Sequence, residues 1–532
     1  MGPDNLTNAM RGDFAMKRNA WICWGLLWFV PASLPLASAQ EFDVVIRGGR
    51  VIDPESGFDG VRNIGLRGGA IAEVTEQVIQ GKSTVDAEGL IVAPGFVDLH
   101  AHGQCIAADR MQAFDGVTTT LELEAGTLPV SAWYAEQAAS RRVLNYGTSA
   151  GWAHARVATF EGQLPGSGFR GLQAVFAKRR WVDNVANAEQ VEQIAELLEQ
   201  GLREGGIGIG CLAGYVPAYG YKEMLAVHQL AARHDAPTFT HIHHLGQIDP
   251  NSSLQAYGEL ISYAAATGAR VHLCHFNSTS FRDIGAAAAM VRQAQRQGVR
   301  ISVEAYPYGA GSTAIGSAFF TPENLARMGG SIADLEYKGE PLNDQTYQQL
   351  RRDNPGALVV HHYFRLPRDQ ALLDQAVLFP EGIIASDAMP WIDATTGEAI
   401  ESDQWPLPKS ATAHPRSASA FTRLLIDYVR DQPRMDLLEA LRRGSYRPAE
   451  WLVSVCPEMA RKGRLRIGAD ADLIVFSLAD LCAPATFREP NQPTVGMRYV
   501  FVGGTAVIVD GALQREVFPG KAIRGAHRPG GG

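Results

Sequence analysis

The sequence predicts an α/β protein: a (β/α)8, TIM-like barrel joined to a small β-sandwich domain built from both chain ends. Three observations carry this. Through the middle of the chain, short apolar segments with strand character alternate with helical stretches, the mark of a parallel α/β architecture. Before and after that region, β-branched runs are broken by Gly and Asp turns. Histidines and carboxylates also recur at the C-terminal ends of the expected strands, where a barrel gathers its reactive groups.

Taken in order, the first forty residues have the layout of a secretory signal. Lys17 and Arg18 precede an apolar run broken by Pro31, and Ala37-Ser38-Ala39 forms an A-x-A cleavage site. Residues 1–39 are expected to be removed, with 1–15 an upstream extension, Met16 a plausible start and Gln40 the mature N-terminus. The run is too short and too interrupted to span a membrane, so no stable anchor is expected after cleavage. The exported protein is placed in the periplasm or outside the cell.

Residues 40–93 hold "FDVVIRGGRVIDP", "NIGLRGGAIAEV" and "STVDAEGLIVAPG". The same texture returns in "GRLRIGADADLIVFSL" and "RYVFVGGTAVIVDGAL", so 40–93 and 462–525 are assigned to one β domain. Between them, 94–461 supplies the eight expected barrel strands: "GFVDLH", "VTTTLELE", "NYGTSAG", "GIGIGCL", "PTFTHI", "RVHLCH", "RISVEAYPY" and "GIIASD". Helical segments such as 187–205 and 221–235 separate them. Residues 309–356 interrupt the order and read as a loop or lid over the barrel mouth, and "ALVVHHYF" after them as an extra strand.

Composition narrows the function. A net charge of −8 without a basic stripe argues against a nucleic-acid binder. Five cysteines remain after the signal: Cys105, Cys211, Cys274, Cys456 and Cys482. Odd in number and widely spaced, most of them read as small buried hydrophobes. Cys105, three residues after His102, is a candidate metal neighbour.

In "APGFVDLHAHGQ" alternation puts Asp98, His100 and His102 on one face of an extended segment. Two histidines alone also fit an ordinary polar strand end. The decisive feature is the company they keep: Glu122 and Glu124 end the second strand, His241 the fifth, His275 the sixth and Asp387 the eighth. Such a mixed nitrogen and oxygen set suits Zn²⁺ or a related divalent ion, one or two per subunit. Glu124 lies nearer the strand end and is taken as the ligand, with Glu122 the alternative or a buried partner. His243 shares the face of His241 and is a candidate support behind the ligands. His154, His228, His234, His361 and His362 are expected to be structural or solvated.

The same residues carry a family resemblance. "DVVIRGGRVIDP", "APGFVDLHAHG", "THIHH", "HLCHFNST", "ASD" and "GRLRIGADADLIVF" resemble the amidohydrolase superfamily of metal-dependent barrel hydrolases. "EAYPYGAGST" with "AHPRSASAFTRLLIDYVR" resembles the D-aminoacylase, or N-acyl-D-amino-acid deacylase, group within it. The resemblance implies metal-ligand roles for His100, His102, His241 and His275. It implies that Asp387 is both ligand and proton shuttle, and that Arg416 holds a substrate carboxylate. Two positions depart from the pattern. A Glu stands where the group usually has a Cys at the end of the second strand, and Asn277 stands where a Lys is usual. Asn277, Ser312 and Tyr219 are the remaining candidate substrate contacts.

The expected activity is hydrolysis of the linear amide of an N-acyl-D-amino acid, a carbon–nitrogen bond other than a peptide bond. Asp387 passes a proton from the attacking water to the leaving amine, and Tyr306 donates to the developing oxyanion or holds substrate. "LELEAGTLPVSAWY" resembles chains described as N-acyl-D-glutamate deacylases, which makes D-Glu the candidate side chain. The alternatives are a cyclic-amide hydrolase or dipeptidase of the same superfamily, or a non-catalytic metal-binding barrel. The former usually carry a carboxylated Lys on the fourth strand, and "GIGIGCLAGY" has none.

Overall fold

The computed structural model describes residues 41–526. The expected signal segment and its cleavage site lie outside the described residues. Among the described residues no helix is long and apolar enough to cross a membrane.

Eight parallel strands form the barrel: β1 (Phe96–Asp98), β2 (Val117–Thr127), β3 (Asn145–Gly151), β4 (Ile209–Leu212), β5 (Pro237–His241), β6 (Arg270–Leu273), β7 (Ile301–Ala305) and β8 (Ile383–Ile384). They neighbour one another in chain order, β1 to β8. All eleven residues of β2 are buried, as expected of a strand packed on a barrel interior and an outer helical ring. β8 is only two residues long, so the seam with β1 closes differently. His102 N–H donates to the Ala388 carbonyl (2.7 Å) and Ser386 N–H to Asp98 Oδ1 (2.9 Å). The seam therefore joins the segments that carry His100, His102 and Asp387.

The outer helices follow their sequence signals. The segment expected at 187–205 is a helix over Ala188–Arg203 whose buried Ile194, Leu198, Gly201 and Leu202 recur at helical spacing. Asn187 caps it: its side chain accepts from Gln190 N–H, and the Gln190 side chain accepts from Asn187 N–H.

The end domain is one continuous sheet. Ile91–Pro94 pairs antiparallel with Leu473–Phe476, which joins the two chain ends. Phe42–Asp53, Phe58–Arg67 and Ala70–Thr75 extend the sheet on one side, and Met497–Val502 and Thr505–Val509 on the other. It encloses its own core of Ile46, Val51, Ile64, Leu66, Leu473, Val475 and Phe501. The final residues leave it: Tyr146 N–H donates to Lys521 and Ile523 N–H to Tyr146, so they run along β3. Lys462 and Asp472 form a buried ion pair at 2.6 Å. Asn145 of β3 also donates to Asp472 (2.9 Å), tying sheet to barrel.

The insertion differs from the expected loop. Ala310–Ala314 pairs antiparallel with Leu358–His362, which pairs with Leu335–Tyr337, and a helix spans Asp344–Asp353. "ALVVHHYF" is the middle strand of that small sheet. Val359 and His361 turn to the buried side, and alternation of that kind needs a pairing partner.

Candidate metal centre

The strand ends bring His100, His102, Glu124, His241, His275 and Asp387 into one buried cluster. His275 (φ 35°) and Asp387 (φ 50°) hold left-handed backbone conformations. These are uncommon for residues with a Cβ and tend to persist where surrounding structure fixes them, often at functional sites.

His100 Nε2 and His102 Nε2 are 3.1 Å apart. On the far side of the cluster, His241 Nδ1 and His275 Nε2 are also 3.1 Å apart. Glu124 lies between the pairs. Its Oε2 is 3.3 Å from His100 and 3.6 Å from His102, and its Oε1 is 2.8 Å from His275 and 3.4 Å from His241. Asp387 Oδ1 approaches His100 and His102 at 3.4 and 3.5 Å.

The donor set fits a divalent metal. His100 Nδ1 is held by Glu304 Oε1 at 2.5 Å and His102 Nδ1 by Glu122 Oε2 at 3.0 Å. With the ring protons committed there, both Nε2 lone pairs face each other and call for a cation between them. Tetrahedral zinc, with Zn–N near 2.0–2.1 Å, sets such nitrogens about 3.3 Å apart. Burial opposes charge on His100, yet Glu124, Asp387 and Glu304 raise its pKa well above the usual imidazole value. His102 is pushed up to about 9 by Glu122 and Asp387 against the same burial. The carboxylates thus demand positive charge here, which a bound ion supplies.

Glu122 is therefore a support behind His102, and Glu124 is the carboxylate among the nitrogens. Sequence reasoning missed the equivalent support behind His100. Glu304, on β7, bridges His100 and His272, the latter at 2.9 Å. Burial would raise its pKa, but His100 and His272 hold it low. Its signal was alternation, since Glu304 precedes Tyr306 by two and so shares its strand face.

Arg416 is fully buried, not on a surface loop. Its Nη2 pairs with Asp387 Oδ2 at 2.8 Å, its Nε donates to the Asp387 carbonyl at 2.6 Å, and its plane lies 4.6 Å from the Tyr306 ring. Two of its donors hold Asp387, so Arg416 does not present a free Nε–Nη2 edge to substrate. Its Nη1 has no hydrogen-bond partner among the described residues, and the Tyr306 hydroxyl has Ser278 and Tyr363 as its neighbours. A Cβ on Gly311 would meet Tyr306 Oη at 3.1 Å and Arg416 Nη1 at 3.4 Å. Glycine at 311 therefore lets the chain pass close to both donors. Ser312 lines the cavity, and its carbonyl accepts from Arg416 (3.3 Å).

Four expectations are corrected. Asn277 is not among the cavity-lining residues; its amide donates to the Tyr306 and Tyr308 carbonyls and the Tyr363 hydroxyl, bracing that strand end. Tyr219 packs against His243 (4.1 Å) and bonds Glu259. The aromatic of that loop lining the cavity is Tyr215, three residues past β4, at 4.9 Å from His241. His243 bonds Glu259 and the Pro217 carbonyl and does not support the ligands. His361, expected to be structural or solvated, lines the cavity, with burial pushing its pKa down to about 4. The Cys105 thiol meets the Ile400 carbonyl (3.6 Å).

His102, Glu124, His241, His275 and Asp387 form the floor of a cavity of about 50 Å³. Phe281, Phe319, Phe320, Leu245 and Met328 give it an apolar wall; among the described residues no Lys or Arg lines it directly, and Arg416 stands behind the lining residue Gly311.

The amidohydrolase family model matches residues 83–508. An N-acyl-D-glutamate deacylase and a D-aminoacylase of Alcaligenes xylosoxydans xylosoxydans are each 25% identical, over 91% of this chain and 97% of theirs. The crystal structure of the N-acyl-D-glutamate deacylase of Bordetella bronchiseptica, complexed with zinc and a phosphonate mimic of the tetrahedral intermediate, superposes with a TM-score of 0.72. It is 23% identical and covers 91% of this chain and all of its own. A D-aminoacylase structure matches with the same TM-score at 20% identity, over 91% of this chain and all of its own. The chain belongs to the amidohydrolase family, and its full-length likeness within that family runs to the D-aminoacylase group.

Proposed function

We propose that this protein is an N-acyl-D-amino-acid deacylase, splitting a linear amide into a free D-amino acid and a carboxylic acid on a centre of one or two zinc ions. The observation that carries the reading is one assembly. Four histidines and Glu124 surround a cation-binding space, and Asp387 joins them to Arg416.

A zinc ion bound by His100, His102, Glu124, His241 and His275 would supply Lewis acidity and a water of lowered pKa. The chain's own groups do the rest. Burial would raise the pKa of Asp387, but Arg416 and His100 hold it low, so its carboxylate is ionised and ready to take a proton. It accepts that proton from the attacking water and delivers it to the leaving nitrogen. Arg416 Nη1, which has no partner among the described residues, and the Tyr306 hydroxyl beside it receive the substrate carboxylate. The aromatic wall excludes water.

The cavity lining favours an apolar side chain over D-Glu. A second carboxylate there would be buried without a cationic partner, which costs several kcal/mol. With carboxylate and scissile carbonyl both fixed, chirality sets where the side chain points. The test is a panel of N-acetyl amino acids of both hands. The D forms are expected to lead by more than tenfold, and N-acetyl-D-methionine or -phenylalanine to exceed N-acetyl-D-glutamate by about 100-fold in kcat/KM. Preference for L forms sinks the deacylase reading; preference for D-Glu sinks the apolar one.

Export is part of the proposal, supported by the signal-like layout ending at Ala39. Intact mass of protein recovered from periplasm or medium is expected to start at Gln40. Recovery with residues upstream of Gln40 still attached counts against it.

A further inference from the structure

A second cavity, of about 310 Å³, meets the metal cluster from the side of His102 and Glu122. It shares only His102 and Phe169 with the lining of the first cavity. Phe169 is fully buried, and its ring stacks on His102 at 4.6 Å with an interplanar angle of 28°. One aromatic ring therefore separates the two spaces at the edge of the metal cluster.

The ring is fixed from both sides. Phe169 sits on a short helix, Gly168–Gln173, that follows a glycine-rich turn. A Cβ on Gly171 would fall 1.6 Å from the Gly166 carbonyl oxygen, so this turn closes as tightly as glycine allows. Gly168 N–H donates to Thr127 Oγ1 (3.3 Å), Ser167 Oγ to Glu136 (2.9 Å), and Arg170 pairs with Glu401. Held at these points, Phe169 is a wall and not a loose flap.

Behind the wall, Trp133, Pro390, Trp391 and Ile400 give the second cavity an apolar part. An N-acyl amino acid has two ends. On the deacylase reading its carboxylate goes to Arg416 and Tyr306, on the Gly311 side of the first cavity, so the acyl end needs room on another side of the cluster.

We propose that Phe169 sets the length of the acyl group this enzyme accepts, and that the cavity behind it is an acyl subsite closed to all but short chains. The inference rests on the deacylase reading of the same centre. Each methylene that gains burial improves binding by a factor of about four. A hexanoyl group carries four more carbons than acetyl, so opening the wall should favour it strongly.

The test compares wild type, Phe169→Ala and Phe169→Leu at equal zinc content. Acetyl, butanoyl and hexanoyl derivatives of one D-amino acid give the activity series. Quenching of Trp133 and Trp391 fluorescence by hexanoate, with acetate as reference, reports binding without turnover. Phe169→Ala is expected to raise the hexanoyl-to-acetyl ratio of kcat/KM at least tenfold, and to tighten hexanoate at least tenfold relative to acetate. Phe169→Leu, which keeps an apolar side chain, should shift both in the same direction by less. Unchanged chain-length profiles and hexanoate affinity in both variants overturn the subsite. Gained hexanoate affinity in a protein that cleaves no N-acyl-D-amino acid removes the deacylase reading and leaves the subsite standing.

Discussion

Asp387→Asn is expected to lower kcat by about 10²–10⁴-fold, while zinc stays bound and KM changes little. The asparagine keeps the shape and an acceptor for Arg416 but cannot take a proton. Four histidines and Glu124 still surround the cluster, so metal retention follows from the geometry. Glu304→Gln should do the reverse. Glu304 holds the His100 ring at 2.5 Å, and loss of such a support typically weakens metal affinity 10–100-fold. At saturating zinc its kcat should recover; that of Asp387→Asn should not. Zinc content by elemental analysis beside kcat at several zinc concentrations separates the two. Parallel loss of metal and rate in Asp387→Asn would make Asp387 a ligand and nothing more.

The contrast between these carboxylates shows what the sequence can carry. Ligand-type residues were legible because they end strands whose apolar runs are visible, and the barrel brings strand ends together whatever lies between them. Choosing Glu124 over Glu122 needed only the order along β2. Glu304 was not legible in the same way. It stands inside β7, and its role depends on His100 reaching it across 204 residues of sequence.

Residues outside the strands were harder to place. Tyr219 and Tyr215 sit in one aromatic loop, and only the turn after β4 decides which faces the cavity. The insertion read as a loop because its strands are short and pair over long separations, with Ala310 opposite His362. Phe169 follows a Pro/Gly-rich stretch that reads as a turn; only its stacking on His102 gives it a function. Asn277 stood where the resemblance led to a substrate contact, yet its amide is spent on carbonyls and a tyrosine. Pairwise partners of this kind are set by packing, which has no local sequence signature.

Arg416→Lys is the second large effect, and its form distinguishes two jobs held by one side chain. The guanidinium spans Asp387 through Nη2 and Nε and leaves Nη1 without a partner among the described residues, the atom proposed to take the substrate carboxylate. An ammonium is a single point of charge and cannot hold both places. Losing the Nη1 contact should raise KM by tens of fold, since a charge-assisted hydrogen bond contributes about 1.5–3 kcal/mol. Losing the Nε bond should also free the strained Asp387 backbone and lower kcat. Tyr306→Phe removes only the neighbouring hydroxyl, so it should raise KM with little change in kcat. Arg416→Ala leaves the buried Asp387 carboxylate unpaired, at a cost of about 3–5 kcal/mol, and its Tm should fall well below that of Arg416→Lys. Steady-state kinetics with thermal unfolding of the three variants decides the matter. If Arg416→Lys keeps both constants, the carboxylate is bound elsewhere, and if it raises KM alone, Asp387 is positioned without it.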